Sequence, residues 1–248
     1  MIRRVSIITV ACNSVKGIIP TMESVLAQEL GQTELEYRII DGNSTDGTAE
    51  TARSYRRRME EKGILYDVVS EPDGGIYDAM NKGIRLASGD LIGFLNSGDW
   101  YEPGALGKVL KTFQTKRCDL MFGNIRIYRK DGKSFIKKAV LRKFQTSRDW
   151  NHPTMFVRAG LYKKYPFADQ GIHDDYGFYL KIRKMQFKIV TVDQVLANFQ
   201  MGGASNQRGI RQMCRRIHDR YRYCYRANGY SRWYLIECMV TEAVKCLL

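Results

Sequence analysis

Carboxylates and carboxamides recur just after the apolar runs of the first hundred residues. They are Asn13, Asp41 in Asp41-Gly42-Asn43-Ser44, Asp73 in Glu71-Pro72-Asp73-Gly74-Gly75, and Asn96 and Asp99 in Asn96-Ser97-Gly98-Asp99. Farther on, Asp174 and Asp175 stand side by side ahead of Tyr176, Tyr179 and Leu180. Two kinds of chemistry suit such groups. A hard divalent cation takes one or two carboxylates and fills its remaining positions with other oxygens. A carboxylate within hydrogen-bond reach can also take the proton of an attacking hydroxyl. For Asp174 and Asp175 mutual repulsion raises one pKa, whereas a helix N-terminus lowers both. An N-cap at Asp174 is the plain structural alternative. One loop rich in Asp, Asn, Ser and Gly is ordinary turn chemistry; one after every strand implies that they converge on a single edge. No G-x-G-x-x-G, G-x-x-x-x-G-K-[ST] or G-x-S-x-G stretch is present, so a dinucleotide fingerprint, a P-loop and a nucleophile elbow have no support.

The elements that must position these groups are legible. Val5–Ala11, 36–41, 65–70 and 91–95 read as short buried strands rich in β-branched and aliphatic residues. Helical spacing fills the gaps: 18–28, 46–60, and a stripe of Ile76, Met80, Ile84 and Ala87. Strand and helix alternating at this interval predict parallel βαβ units and an open α/β sheet, whose ligands bind at the carboxyl ends of the strands. Beyond about residue 113 the regularity fades. Residues 119–128 and 134–140 read as a hairpin around Lys130-Asp131-Gly132-Lys133, 188–192 and 195–199 as two further strands, and 175–185 as a short helix. Nine basic residues against one acid between Arg126 and Arg148 predict a solvated rim.

The formal charge of +14 calls for an anionic partner: a phosphorylated substrate, an acidic membrane surface or nucleic acid. No nucleic-acid motif accompanies it, and the basic residues are spread over the hairpin and the tail. Six cysteines without C-x-x-C spacing argue against a disulfide framework or a zinc site, and thiols of this kind fit a reducing cytosol. Arg3 and Arg4 precede an apolar run, but seven residues containing Ser6 and Thr9 are too short and polar for an export signal. After residue 206 the character changes. Ile210, Met213, Ile217, Tyr221 and Cys224 form an apolar stripe crowded by Arg208, Arg211, Arg215, Arg216, Arg220, Arg222 and Arg226. The run from Trp233 to Leu248 is more apolar, yet Glu237, Glu242 and Lys245 interrupt it, so it is too short and polar to span a membrane. Two readings stand: a helical hairpin packed on the domain with its charges in water, or a basic amphipathic helix on an anionic leaflet.

Several segments in register resemble a family 2 glycosyltransferase of the GT-A fold, of the bacterial polysaccharide-biosynthesis type. They are Ser6–Asn13, Ile39–Thr48, Ser70–Gly83, Gly89, Phe94–Trp100, His152–Phe156, Asp174–Tyr176 and Gly202–Ser205. The resemblance implies an α/β, Rossmann-like open mixed sheet flanked by helices over residues 1–206. Residues 207–248 form a basic C-terminal helical extension without a counterpart. It implies an inverting transfer of a sugar from a nucleotide-diphosphate sugar to a hydroxyl of a glycan or lipid-linked glycan, inside the cytoplasm or on the inner face of the cell membrane. It also implies roles, residue by residue. Asp41 meets the nucleotide base or ribose, and Asn13, Asp73, Asn81 and Asn96 fall in the donor segments. Asp99 matches the last carboxylate of a D-x-D motif that holds Mg²⁺ or Mn²⁺ against the diphosphate. Asp175 matches the general base. His152 and Asp174 fall on the acceptor side, and Gly202 and Gly203 on a loop able to close. The sequence departs from the pattern at Gly98, where an Asp is common, which lowers the expected metal affinity. The alternatives are a non-catalytic nucleotide-sugar binder of the same fold and a nucleic-acid binder.

Overall fold

The computed structural model describes residues 2–201 and 209–247. Four strands, β1 (Arg4–Ala11), β2 (Glu34–Asp41), β3 (Leu65–Ser70) and β4 (Leu91–Phe94), run parallel in the order β3-β2-β1-β4. Their connections are α1 (Val15–Leu26), α2 (Thr48–Ser54) with α3 (Arg56–Glu61), and α4 (Ile76–Leu86). The expected helix over 46–60 is thus two short helices meeting at Tyr55. β5 (Trp100–Tyr101) and α5 (Ala105–Lys116) follow. Beyond β4 the sheet continues β8-β6-β9-β5, with β6 (Leu120–Tyr128), β8 (Phe156–Arg158) and β9 (Ile189–Gln200). β8 runs antiparallel to β4 and β6, so the sheet is mixed; β7 (Ser134–Lys137) closes the expected hairpin on β6. The two strands expected over 188–199 are one strand. Its pairing with β6 slips around Gly123, Asn124 and Ile125, and Asp193 turns out at that slip to accept from Asn124 Nδ2 at 2.8 Å.

Side chains alternate between the two faces of β1, and each face is covered. Ile7 joins Ile18, Met22 and Val25 of α1 with Leu106, Val109 and Phe113 of α5. Ile8 joins Met80 and Ile84 of α4 with Tyr162 of α6 (Ala159–Lys164) and Tyr176 and Tyr179 of α7 (Asp174–Lys184). On α4 the buried stripe is Tyr77, Met80 and Ile84, with Ala87 buried just past the helix end, whereas Ile76, expected on the stripe, faces solvent.

The chain beyond residue 209 forms α8 (Ile210–Asp219), a π-helical stretch (Arg220–Arg226) and α9 (Tyr234–Leu247). It packs on α7: Tyr225 meets the Tyr176 hydroxyl at 3.0 Å, Asn228 Nδ2 donates to Gly177 O, and the Tyr230 hydroxyl donates to Leu180 O. The expectation that its arginines lie in water fails at two positions. Arg216 and Arg220 are buried against the fully buried Glu242, at 2.7 and 2.5 Å. Ile210, expected on the apolar stripe, is exposed. No helix among the described residues is long and apolar enough to cross a membrane.

Candidate functional site

The loops after β1 and β2 are knitted together. Asn13, at φ 47°, donates its backbone N–H to Ser44 Oγ at 2.7 Å and accepts the Thr45 N–H on Oδ1 at 3.0 Å. Asp41 is buried under them and accepts from the Ser44 backbone and hydroxyl and from Ser70 Oγ. It therefore braces the loop after β2 against the end of β3. Asp73 is half-exposed and caps the Gly75 N–H at 2.9 Å. Its Oδ2 lies 2.6 Å from where a Cβ on Gly42 would stand, so only glycine admits this approach.

The Asn96–Asp99 turn follows β4. Gly98 has φ 97°, and its N–H is held by Thr21 Oγ1 and Gly17 O of α1. This left-handed backbone explains the missing second carboxylate: glycine meets a backbone demand there. The Asp99 carboxylate is buried and receives the backbone N–H of Gln200, at the end of β9. Burial pushes its pKa well above the usual carboxylate range, and that single hydrogen bond only partly offsets it. Asn96 Oδ1 is buried with no hydrogen-bond partner among the described residues. No cluster of three or more His, Cys, Asp or Glu side chains forms a metal site among the described residues. A buried carboxylate with no cation against it among the described residues, beside a carboxamide oxygen unpartnered among them, nevertheless fits a hard cation that draws its other ligands from a phosphorylated substrate.

Asp175 sits in the first turn of α7. Its Oδ1 accepts the Tyr77 hydroxyl at 2.9 Å and the Tyr176 N–H at 2.8 Å, and its Oδ2 lies 3.1 Å from His152 Nδ1. Burial pushes this carboxyl upward, but the adjacent His152 imidazole, helped by His173, outweighs it and holds the pKa below the ordinary aspartate value. Asp174 goes the other way, raised by burial and then by Asp175. It is not the N-cap: it is the first helical residue and reaches back to the N–H groups of Gln170 and Gly171 at 2.6 and 3.1 Å.

Two routes tie Asp175 to the loops after β3 and β4. Tyr77 lies in the first turn of α4, four residues beyond Asp73. The His152 ring stacks on Trp150 and packs 5.7 Å from Phe94, the last residue of β4 and two before Asn96. Asp99 and Asp175 thus belong to one edge of the sheet. Asn81 has both amide groups committed to the backbone of Phe167, at 3.0 Å each way, so it fixes that segment against the site. Gly202 and Gly203, with Arg208, lie outside the described residues. Tyr77, Trp150 and Phe94 escaped the sequence reading. Tyr77 alone left a signal, because it falls three and seven residues ahead of Met80 and Ile84 on the buried face. Beside Gln170, a cavity of about 830 Å³ opens against Arg222, Tyr223, Arg226 and Ala227 of the C-terminal segment.

Comparison with known proteins matches residues 6–170 to glycosyl transferase family 2. An uncharacterized glycosyltransferase of Mycobacterium tuberculosis, Rv1514c, is 32% identical over 211 residues, 82% of this chain and 78% of that protein. The putative teichuronic acid biosynthesis glycosyltransferase TuaG of Bacillus subtilis is 31% identical over 128 residues, 52% and 49% of the two chains. Among solved structures, S. aureus TarS 1-349 in complex with UDP-GlcNAc superposes with a TM-score of 0.63 at 20% identity, covering 98% of this chain and 66% of that one. The mannosyltransferase PcManGT from Pyrobaculum calidifontis, in complex with GDP-Man and Mn²⁺, gives 0.65 at 17% identity, covering 90% and 61%. The chain therefore spans about three fifths of the length of these structures, and it shares their GT-A fold.

Proposed function

The chain belongs to glycosyl transferase family 2, and from its site we propose that it moves a sugar from a nucleotide-diphosphate sugar to a hydroxyl of a glycan or lipid-linked glycan, with inversion. The observation that carries this reading is the placement of Asp175: a largely buried carboxylate fixed by the Tyr77 hydroxyl, the Tyr176 N–H and the His152 ring, on the sheet edge that also carries Asp99.

Asp41, Asn13 and Asp73 line the donor side, where the Ser44 and Ser70 hydroxyls held by Asp41 shape the nucleoside pocket. Asp99, with Asn96 beside it, would hold Mg²⁺ or Mn²⁺. When bound, that cation neutralises the charge gathering on the departing diphosphate. Asp175 takes the acceptor hydroxyl's proton as the oxygen attacks the anomeric carbon. An ionised carboxylate offers about four acceptor positions and three are filled, which leaves one for the acceptor. Tyr77 and His152 fix its direction, and Asp174 holds the 170–174 turn closed behind it. A single displacement from the face opposite the diphosphate inverts the sugar. Residues 1–206 are the catalytic domain and 207–248 its extension. Gly98, the one feature that favoured a non-catalytic binder, follows from backbone geometry and lends that alternative no weight.

The test is sugar transfer by the intact protein with Mn²⁺, screened over nucleoside diphosphate sugars. Asp175→Asn lowers kcat by about 10²- to 10⁴-fold, the range for a positioned base, while the rise in Tm on adding nucleoside diphosphate is retained. Turnover equal to the unsubstituted protein would refute the assignment.

A further inference from the structure

Helix α9 is built inside out. Its exposed positions are Leu235, Ile236, Met239, Val240 and Ala243, at the spacing of one helical stripe, and all are apolar. Its buried positions include Thr241 and Glu242, with Cys238 between them and Glu237. Glu242 is held by Arg216 and Arg220, while Glu237 accepts from the Tyr225 hydroxyl at 3.1 Å and from Thr241 at 3.0 Å. Two of the charges that bar this run from spanning a bilayer are thus turned inward, and the outward stripe carries none.

The patch extends past the helix. Trp233 is 77% exposed and Phe144 73%, the two most exposed aromatic side chains among the described residues. Both are pinned to the last turn of α7. Arg183 donates to Gln145 Oε1 at 2.6 Å, next to Phe144, and Tyr230 bonds Leu180 O while its ring lies 5.5 Å from that of Tyr234, next to Trp233. Lys143 and Arg232 flank the two aromatics, and Lys184 sits over the Tyr230 ring. None of these three cations has a carboxylate within ion-pair distance among the described residues.

We propose that this face, the outward stripe of α9 with Phe144 and Trp233, docks on an anionic phospholipid bilayer. An apolar stripe edged by aromatic side chains and by unpaired cations matches the interface of such a leaflet, where acyl chains take the stripe and lipid phosphates take the cations. The charge pattern decides against a second copy of this chain, whose matching face would carry the same positive rim. The proposal rests on the transferase reading for its purpose. The docked face adjoins α7, the helix that carries Asp175, so the bilayer lies on the acceptor side and delivers a lipid-linked acceptor.

The experiment is co-sedimentation of the full chain with phosphatidylglycerol/phosphatidylcholine vesicles and with phosphatidylcholine vesicles alone, together with tryptophan emission. Binding to the anionic vesicles, with a blue shift of the Trp233 emission, is expected. Phe144→Ser combined with Trp233→Ser lowers partitioning at least tenfold, and Lys143→Gln or Arg232→Gln each by about fivefold at low salt. Phe144→Ser alone, on a loop, serves as the second variant should the double one misfold, and it lowers partitioning several-fold. No vesicle binding, equal binding to neutral vesicles, binding indifferent to the aromatic variants, or a dimer that those variants dissolve would each overturn the proposal. Sugar transfer is not the readout here. A failed docking face leaves the transferase reading intact, and a failed Asp175→Asn test leaves the vesicle result standing.

Discussion

His152→Gln tests whether the ring beside Asp175 is what offsets that carboxyl's burial. The substitution removes the ring 3.1 Å from Asp175 Oδ2 and leaves the carboxylate with Tyr77 and the Tyr176 N–H. Burial, the largest influence on Asp175, then acts without the strongest group that offsets it. In the unsubstituted protein the folded-state pKa lies below the unfolded value. Its stabilisation is therefore fully present above the ordinary aspartate range and is lost only as pH falls through the lower folded value. In the variant the folded pKa rises, so the folded state keeps its proton to higher pH and less of that stabilisation is present near neutrality. Removing one partner of a buried pair costs about 3–5 kcal/mol. For a chain of this size that lowers Tm by roughly 6–20 °C near pH 7. Thermal unfolding across the acid to neutral range should show the gap between the two proteins narrowing as pH falls. The acid limb of kcat should move to higher pH in the variant, and Asp175→Asn in the same chain should recover most of the lost stability by removing the stranded charge. A stability gap constant with pH, with an unmoved acid limb, refutes the pairing as the cause.

Further outcomes follow from the same geometry. Asp99 is a buried acid with its pKa raised, so its stability effect has the opposite sign: ionising it destabilises the fold as pH climbs through the raised value. Asp99→Asn should therefore stabilise the metal-free protein by about 1–3 kcal/mol, read as a higher Tm, and abolish the further Tm rise on adding Mn²⁺ with nucleoside diphosphate; an unchanged or lower Tm counts against it. Gly98→Ala should cost about 1–2 kcal/mol from its positive φ alone, with no clash to relieve, since nothing lies within 4 Å of the added carbon; equilibrium denaturation measures it. Glu242→Gln removes the carboxylate that both Arg216 and Arg220 meet and should destabilise the C-terminal hairpin by about 3–5 kcal/mol, so limited proteolysis should cut beyond residue 209 before it cuts the sheet.

The half of the fold with the loops after β1 to β4 was legible because β-branched and aliphatic residues dominate its parallel strands, despite polar breaks such as Ser6, Arg38 and Asp67, and Asn, Asp or Ser stands at or just after the end of each. What escaped has specific causes. β9 looked like two strands because Asp193 and Gln194 interrupt its apolar pattern at the slip against β6, a pairing fixed by a partner some seventy residues away. α5 carries a plain stripe of Leu106, Val109, Leu110 and Phe113, yet it begins at Gly104 in the left-handed region without a capping side chain, so no start signal marks it. Arg216 and Arg220, four apart among other arginines, have the spacing of a solvated face; only Glu242, remote in sequence, makes them interior. The site divides the same way. The carboxylates could be found by type and position, but Tyr77 meets Asp175 across 98 residues and the Trp150–His152–Phe94 stack spans three elements. No local pattern records such contacts.

Helix α7 joins the two ends of the chemistry. Its first turn carries Asp175, and its last turn, at Leu180, Arg183 and Lys184, holds the loop of Phe144 and the start of α9. Nine residues separate Asp175 from Lys184, about 14 Å along the axis at 1.5 Å per residue. With the α9 face on a bilayer and the α7 axis rising from it, an acceptor hydroxyl stands out from the lipid by a comparable distance when it reaches the base. A lipid carrying a single sugar is short for that reach, and one carrying an oligosaccharide is not. Among lipid-linked acceptors graded by glycan length, kcat/KM in vesicles should therefore rise over the first added sugars and then level off. In detergent, or in the Phe144→Ser/Trp233→Ser protein, where nothing fixes the distance, the dependence on length should flatten. A preference for the shortest acceptor in vesicles, or a length dependence identical in detergent, would mean that the docking face and the base are not held apart by α7 in the way its contacts describe.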